Sequence, residues 1–334
     1  MYKDRLFENE NEYYGFTTMM GSPKRGLGNT YYVVNAADTA VVADFTKRLA
    51  GVTYADGSFP LYIATSLAAD GAIQAALNAC VANRDDTVVI MPSDTNYSIT
   101  TTLQATKKGV HIICPTGIGY DFPIGNTARL KSIVAATAVI NFTAQAIEFA
   151  GFYVKNYADV AAITLAATAL SPNIHHNSFM LVWTASPAAA IVGSGAAGAW
   201  GGITRNWFIS ETGTGVTGTI AAIDIAAQAT GCRVCGNELT IGDGNTATVG
   251  ISNLAVKGHT DFNVFSSSGG IAVTPSGGAI TNCVSINTMA CAIGNRGAVA
   301  ASALLTGGTA AHSYCDNMDG ATGTGNGSQS NLET

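Results

Sequence analysis

Cleaving a glycosidic bond takes two carboxylates about 5 to 10 Å apart, one acting as acid and the other as base or nucleophile. After residue 131 the best pair this chain offers is Asp224 and Glu238, on candidate neighbouring strands, while Asp243-Gly244-Asn245 reads as a turn. Elimination chemistry would need a Lys or Arg base beside acidic Ca²⁺ ligands, and the same region supplies Lys155, Arg205, Arg233, Lys257 and Arg296. Cys232-x-x-Cys235 is a single CxxC with no second CxxC and no nearby His, too few ligands for zinc. His175 and His176 are adjacent, so on a strand they face opposite sides and do not ligate together. Gly193-Ser194-Gly195 lacks the following Lys-Ser/Thr and amphipathic helix of a phosphate cradle. The expectation from these residues is a protein without catalytic machinery, metal or cofactor.

Any such groups would have to be positioned by short strands. From about residue 130 the chain repeats a loose apolar-x-x-Asn-x-apolar phrase at Ile174 to Phe179, Ile203 to Phe208 and Val234 to Leu239, placing Asn177, Asn206 and Asn237 at intervals of 29 and 31 residues. Shorter relatives occur at Phe152 to Asn156 and at Ile280 to Val284, with β-rich runs at Ala161 to Leu165, Ile220 to Ile225, Val249 to Ile251 and Cys291 to Ile293 between them. A loose period of this size, with short strands and Gly-rich corners, is the signature of a solenoid whose rungs stack at about 4.8 Å. Asn suits the corners because its amide tolerates left-handed backbone and can bond the Asn above and below. Gly, Thr and β-branched residues disfavour an α-solenoid; a propeller or sandwich is the competing β architecture. The fold expected is mainly β, a right-handed parallel β-helix over residues 70–315.

Ahead of it, Ile73, Leu77, Cys80 and Val81 recur at helical spacing after Asp70-Gly71 and predict an amphipathic capping helix over 70–83. Strands are expected at Thr87 to Pro92, Tyr97 to Leu103 and Val110 to Cys114. Residues 31–69 read as a small α/β cap, with strands Tyr31 to Val34 and Leu61 to Ile63 and a helix from Ala40 to Leu49. Residues 1–30 read as an extended arm, polar and aromatic without a period; they are either a frayed terminus or a strap ordered against a partner, and the aromatics favour the strap. Residues 316–334 are polar and Gly-rich and read as a flexible tail.

Composition fits this organisation. Charged residues are 11% and apolar residues 47%, with 38 glycines, so small side chains fill closely stacked strands. No apolar stretch approaches the ~20 residues of a membrane span. The net charge of −6 argues against nucleic acid as a partner. Seven scattered cysteines fit packed thiols better than a disulfide framework. No apolar h-region follows the charged start Met1 to Arg5, so synthesis in the cytoplasm is expected.

From Asp70-Gly71 through Val88-Val89-Ile90-Met91-Pro92, Tyr97-Ser98-Ile99 and Gly109-Val110-His111-Ile112, the chain resembles the opening of the pectate-lyase-like β-helices of bacteriophage tailspikes. The resemblance is good over residues 70–114 and rests only on the Asn pattern over 150–295. Pro92 to Tyr97 replaces the family's tighter Pro-x-Gly-x-Tyr, and no head-binding or chaperone-like carboxyl domain is recognisable. The shortness, the aromatic arm and the plain β-helix look most like the tailspike-like decoration, or cement, proteins of some phage heads. The resemblance implies a homotrimer on the outer capsid surface of a virion, bound to the major capsid protein. In that reading Tyr2, Phe7, Tyr13, Tyr14 and Phe16 are apolar anchors, and Arg5, Lys24 and Arg25 meet acidic capsid surface. The alternative is a receptor-binding tailspike that holds or cleaves host polysaccharide along its rungs using Trp183, Trp200 or Trp207.

Overall fold

The computed structural model describes residues 28–115, 127–183, 188–212, 221–226, 229–240 and 248–266, and beyond these six strands between residues 280 and 319. The candidate arm residues Tyr2, Arg5, Phe7, Tyr13, Tyr14, Phe16, Lys24 and Arg25 lie outside the described residues.

Three parallel sheets make up the molecule, with eleven, nine and eight strands among the described residues. Consecutive strands visit them in rotation. Thr87–Ile90 belongs to the eleven-stranded sheet, Tyr97–Ile99 to the nine-stranded and Leu103–Ala105 to the eight-stranded, after which His111–Ile113 returns to the first and pairs with Thr87–Ile90 in parallel. This rotation is compatible with a parallel β-helix, each circuit laying one strand on each sheet.

Side-chain alternation explains why three-residue strands suffice. In the strands of the eleven-stranded sheet from His111–Ile113 to Arg233–Cys235 the central residue points inward, giving the in-register column Ile112, Phe149, Ile174, Ile203 and Val234. In the strands of the eight-stranded sheet from Ile140–Phe142 to Ile223–Ile225 the outer two residues do so, and Ile140, Ile163, Ile191 and Ile223 stack as one column. All nine are buried. Each contributes about 1.5 to 3 kcal/mol by leaving water. Ala162, Ala190 and Ala222 each precede an isoleucine of the second column and are fully buried, so the high alanine content is a corner packed too closely for larger side chains. Phe179 and Phe208, neighbours in register, stack with ring centroids 4.8 Å apart.

Left-handed residues flank the eleven-stranded sheet in two columns. Ala146, Ser171, Trp200, Gly231 and Lys257, with φ between 52 and 67°, each sit two residues before a strand. Gly151, His176, Arg205, Gly236 and Phe262, with φ between 53 and 86°, each sit just after one. Gly151 is obligatory, because an added Cβ would lie 2.5 Å from the Cys114 carbonyl oxygen.

The asparagine ladder lies one residue beyond the second column. The Asn206 carboxamide oxygen accepts from both the backbone and side-chain N–H of Asn177, Asn237 does the same for Asn206, and Asn263 for Asn237. Each side-chain NH₂ of Asn177, Asn206, Asn237 and Asn263 also donates to a backbone carbonyl of the preceding rung. The expected stacking of asparagines is therefore present, but the left-handed residue is the one before the asparagine. Asn282 is not the next member: it lies in the strand Ile280–Ile286 of the eight-stranded sheet, and Asn263 takes the fourth position.

The amino-terminal elements close the stack. Strand β1 (Thr30–Asn35), helix α1 (Thr39–Arg48) and strand β2 (Leu61–Ala64) match the expected cap elements, and β1 and β2 extend the eleven-stranded sheet. The apolar face of α1, centred on Phe45, covers Val34, Val89, Ile113 and Ala150 on the outside of that sheet. Helix α2 (Asp70–Ala79) inserts Ile73, Ala76 and Leu77 into the core. It ends four residues short of the expected Asn83, and Val81 is exposed. The reason is Asp86, fully buried, whose carboxylate accepts from Val81 N–H at 2.6 Å, from Asn29 N–H at 2.8 Å and from the Arg84 guanidinium at 2.6 Å, pulling the chain out of the helix. Gln74 on α2 substitutes for a missing strand: its amide accepts from Gln104 N–H at 2.7 Å and donates to the Gln104 carbonyl at 3.1 Å, satisfying the edge of the eight-stranded sheet.

Candidate functional site

On the outer face of the eleven-stranded sheet, three rungs bring together His111, Glu148, His175 and His176. His111 and Glu148 are partners in register, and His175 comes from the next strand. His111 Nδ1 lies 2.5 Å from Glu148 Oε2, His175 Nε2 lies 2.8 Å from Glu148 Oε1, and the Nδ1 atoms of His175 and His176 are 2.9 Å apart. Glu148 and His175 are buried, and His111 Nε2 is buried without a partner among the described residues.

Burial by itself would raise the Glu148 carboxyl, but the hydrogen bonds from His111 and His175 outweigh it and hold the group down to about 2. Burial is the main cause that pushes His176 down to about 4, with His175 and Arg205 adding to it. A carboxylate with an imidazole on each oxygen and a third imidazole behind one of them can hold and pass protons. Among the described residues no group of three or more His, Cys, Asp or Glu side chains has the geometry for a metal ion. A cleft of about 300 Å³ lies elsewhere, beside α2, lined by Asp70, Gln74, Asn78, Thr101 and Thr102.

Sequence reasoning missed this cluster because its members are 37 and 27 residues apart. Only the rung register joins them, and that register could have been anchored on Asn177. His175 and His176 do not face apart as strand alternation predicts, for a specific reason. The strand ends at His175, and His176 occupies the left-handed corner with φ of 53°, which turns its ring back to contact its neighbour.

Asp224 and Glu238 do not form a pair. Asp224 lies in the eight-stranded sheet between Val192 and Ser252, and Glu238 in the nine-stranded sheet between Trp207 and Val264. Cys232 is buried in the core, whereas Cys235 faces out with its thiol 3.8 Å from Asp261 Oδ2. Burial raises both thiols, to about 12 and about 11, so both stay protonated near neutral pH and are poor ligands or nucleophiles.

Of the three tryptophans, Trp183 ends the strand Ser178–Trp183, and Trp207, which is half-buried, begins Trp207–Thr212. Trp200 is 67% exposed, in the left-handed corner column, with its ring against Gly231 of the next rung. Phe262, 64% exposed, stands in the opposite corner column.

Fold and site together define a mainly β protein of three parallel sheets, compatible with a β-solenoid, carrying a partly buried His-Glu-His-His cluster on one outer face. Comparison with protein-family models, curated proteins and solved structures gave no match.

Proposed function

We propose that the protein is a structural component of a bacteriophage particle, a homotrimeric, tailspike-like, right-handed β-helix that decorates the outer head surface, docks on the capsid through its amino-terminal end and stabilises the shell. One observation carries the choice of docking end. Phe59, Ile63 and Leu67, respectively 65%, 47% and 78% exposed, lie on the amino-terminal cap within and on either side of β2, whose outer edge ends the eleven-stranded sheet. Exposed large apolar side chains next to an open sheet edge suit a protein interface. Three copies in one trimer would each engage a capsid subunit, and the linkage multiplies weak single contacts. The arm residues named above would extend the same contact.

Immunogold labelling of intact particles tests this reading: label spread over the head supports it, and label confined to the tail overturns it. Removal of residues 1–27 together with Phe59→Ser and Leu67→Ser is expected to abolish capsid attachment, and full retention counts against the docking end. A second reading, a tailspike that binds host polysaccharide, is favoured by Trp200, whose exposed ring is held in place over Gly231 as a stacking platform.

A further inference from the structure

We propose that His111, Glu148, His175 and His176 form a proton-limited latch that joins three successive rungs at neutral pH and is forced open in acid. The argument is an inventory of hydrogens. Glu148 as a carboxylate only accepts, so His111 must donate from Nδ1 and His175 from Nε2. A neutral His175 then presents a bare Nδ1, and His176 must supply the hydrogen between the two facing Nδ1 atoms. In this state all three contacts are made, and the buried His111 Nε2 carries only a lone pair.

One further proton has a place to go. On His111 Nε2 it makes an imidazolium beside the Glu148 carboxylate, an ion pair, although that N–H has no acceptor among the described residues. A second is held on His175 Nδ1 once neutral His176 carries its hydrogen on Nε2 and accepts at Nδ1, so all three contacts survive. A third has no place that the cluster tolerates: on His176 Nδ1 it sets two N–H groups against each other across 2.9 Å and charges a half-buried ring near Arg205, and on Glu148 it removes the acceptor that holds two imidazoles.

The surrounding charges do not relieve this. In register beside the cluster stand Thr87, Asn173 and Thr204, all neutral at any relevant pH. Beyond the corner the group facing His176 is cationic Arg205. Helix α1, packed on the same face over Ile113 and Ala150, carries Asp44 and Arg48, paired with each other at 3.1 Å, and Lys47.

The direction follows from linkage. His176 has a folded value of about 4 against 6.5 unfolded, so the unfolded chain binds more protons between those values and stability falls as pH falls through that window. Glu148, at about 2 against 4.5, continues the loss in the same direction at lower pH. The opening begins at the His175-His176 corner, where the Asn177 amide bonds the His175 carbonyl and the asparagine ladder starts.

Two measurements test the latch. In the wild-type protein, histidine imidazole resonances followed by NMR from pH 7.5 to about 4.5 should show at least one ring still neutral at about pH 5, well after an ordinary histidine with pKa near 6.5 has charged; all rings protonated by then would overturn the proposal. Thermal unfolding midpoints are then compared with those of His176→Asn, a neutral side chain that accepts the left-handed corner. The wild-type midpoint is expected to drop between about pH 6.5 and about 4, and the variant to show a clearly smaller drop over the same range. Equal drops would overturn the latch. Should that variant fail to fold, the wild-type resonances decide alone.

Discussion

At Trp200 and Gly231 the chain places its most awkward side chain against its least. A tryptophan in left-handed backbone is unfavourable by about 1 to 2 kcal/mol, and the next rung accommodates its ring only because residue 231 has no Cβ, which would lie 2.6 Å from the indole. Gly231→Ala is expected to destabilise the protein by about 2 to 4 kcal/mol through the collision and the φ of 67° together. In a Trp200→Ala background the same change should cost only about 1 kcal/mol, the backbone part. Denaturant melts of the four proteins check this, and indole emission reports whether the ring is displaced. Residues like these were hard to read in advance. Trp200 and Gly231 are 31 positions apart and His111 and Glu148 are 37 apart, and neither pair has any local signature. The two cysteines were easier, since opposite placement of Cys232 and Cys235 follows from strand geometry alone.

Among the elements, the ladder is the one whose interactions can be removed singly. Asn206→Ala takes away acceptors for the Asn177 backbone and side chain and the donors to Asn237 and the Ile174 carbonyl, all in a buried corner. Stranding buried backbone groups should lower stability by about 2 to 4 kcal/mol. Asn206→Asp keeps the acceptor but sets a buried carboxylate oxygen against the Asn237 carboxamide oxygen and the Ile174 carbonyl, so at neutral pH it should lower the thermal midpoint at least as far as alanine does. This element was legible from the apolar-x-x-Asn-x-apolar phrase because an amide stack needs the same residue in each rung. Asn263 escaped because Thr260 stands where the phrase has an apolar residue. Helix α1 was legible to within one residue, and α2 at its start, where the apolar stripe is local. Its early end was not, because the cause is Asp86, a buried carboxylate that recruits Val81 and Asn29 from either side.

For the molecule as a whole, alternation and small residues announced the stacking of parallel strands, since both are consequences of rungs that repeat the same environment. The face that each outward polar side chain shares with its neighbours stayed hidden, because rung lengths vary and a slip of one residue exchanges inside for outside. The ladder's repeated register has a consequence for length. Asn206 and Asn237 occupy equivalent places, each bonded to the asparagines on both sides. Excising residues 206–236 should therefore splice Asn177-equivalent geometry directly onto Asn237, shortening the protein by one full turn while every remaining strand finds a partner. Such a deletion is expected to yield a folded, β-rich protein by circular dichroism, whereas excising 206–221, about half a turn, should yield none. Length in this architecture is a quantity counted in whole turns, and viable insertions and deletions are confined to multiples of that step.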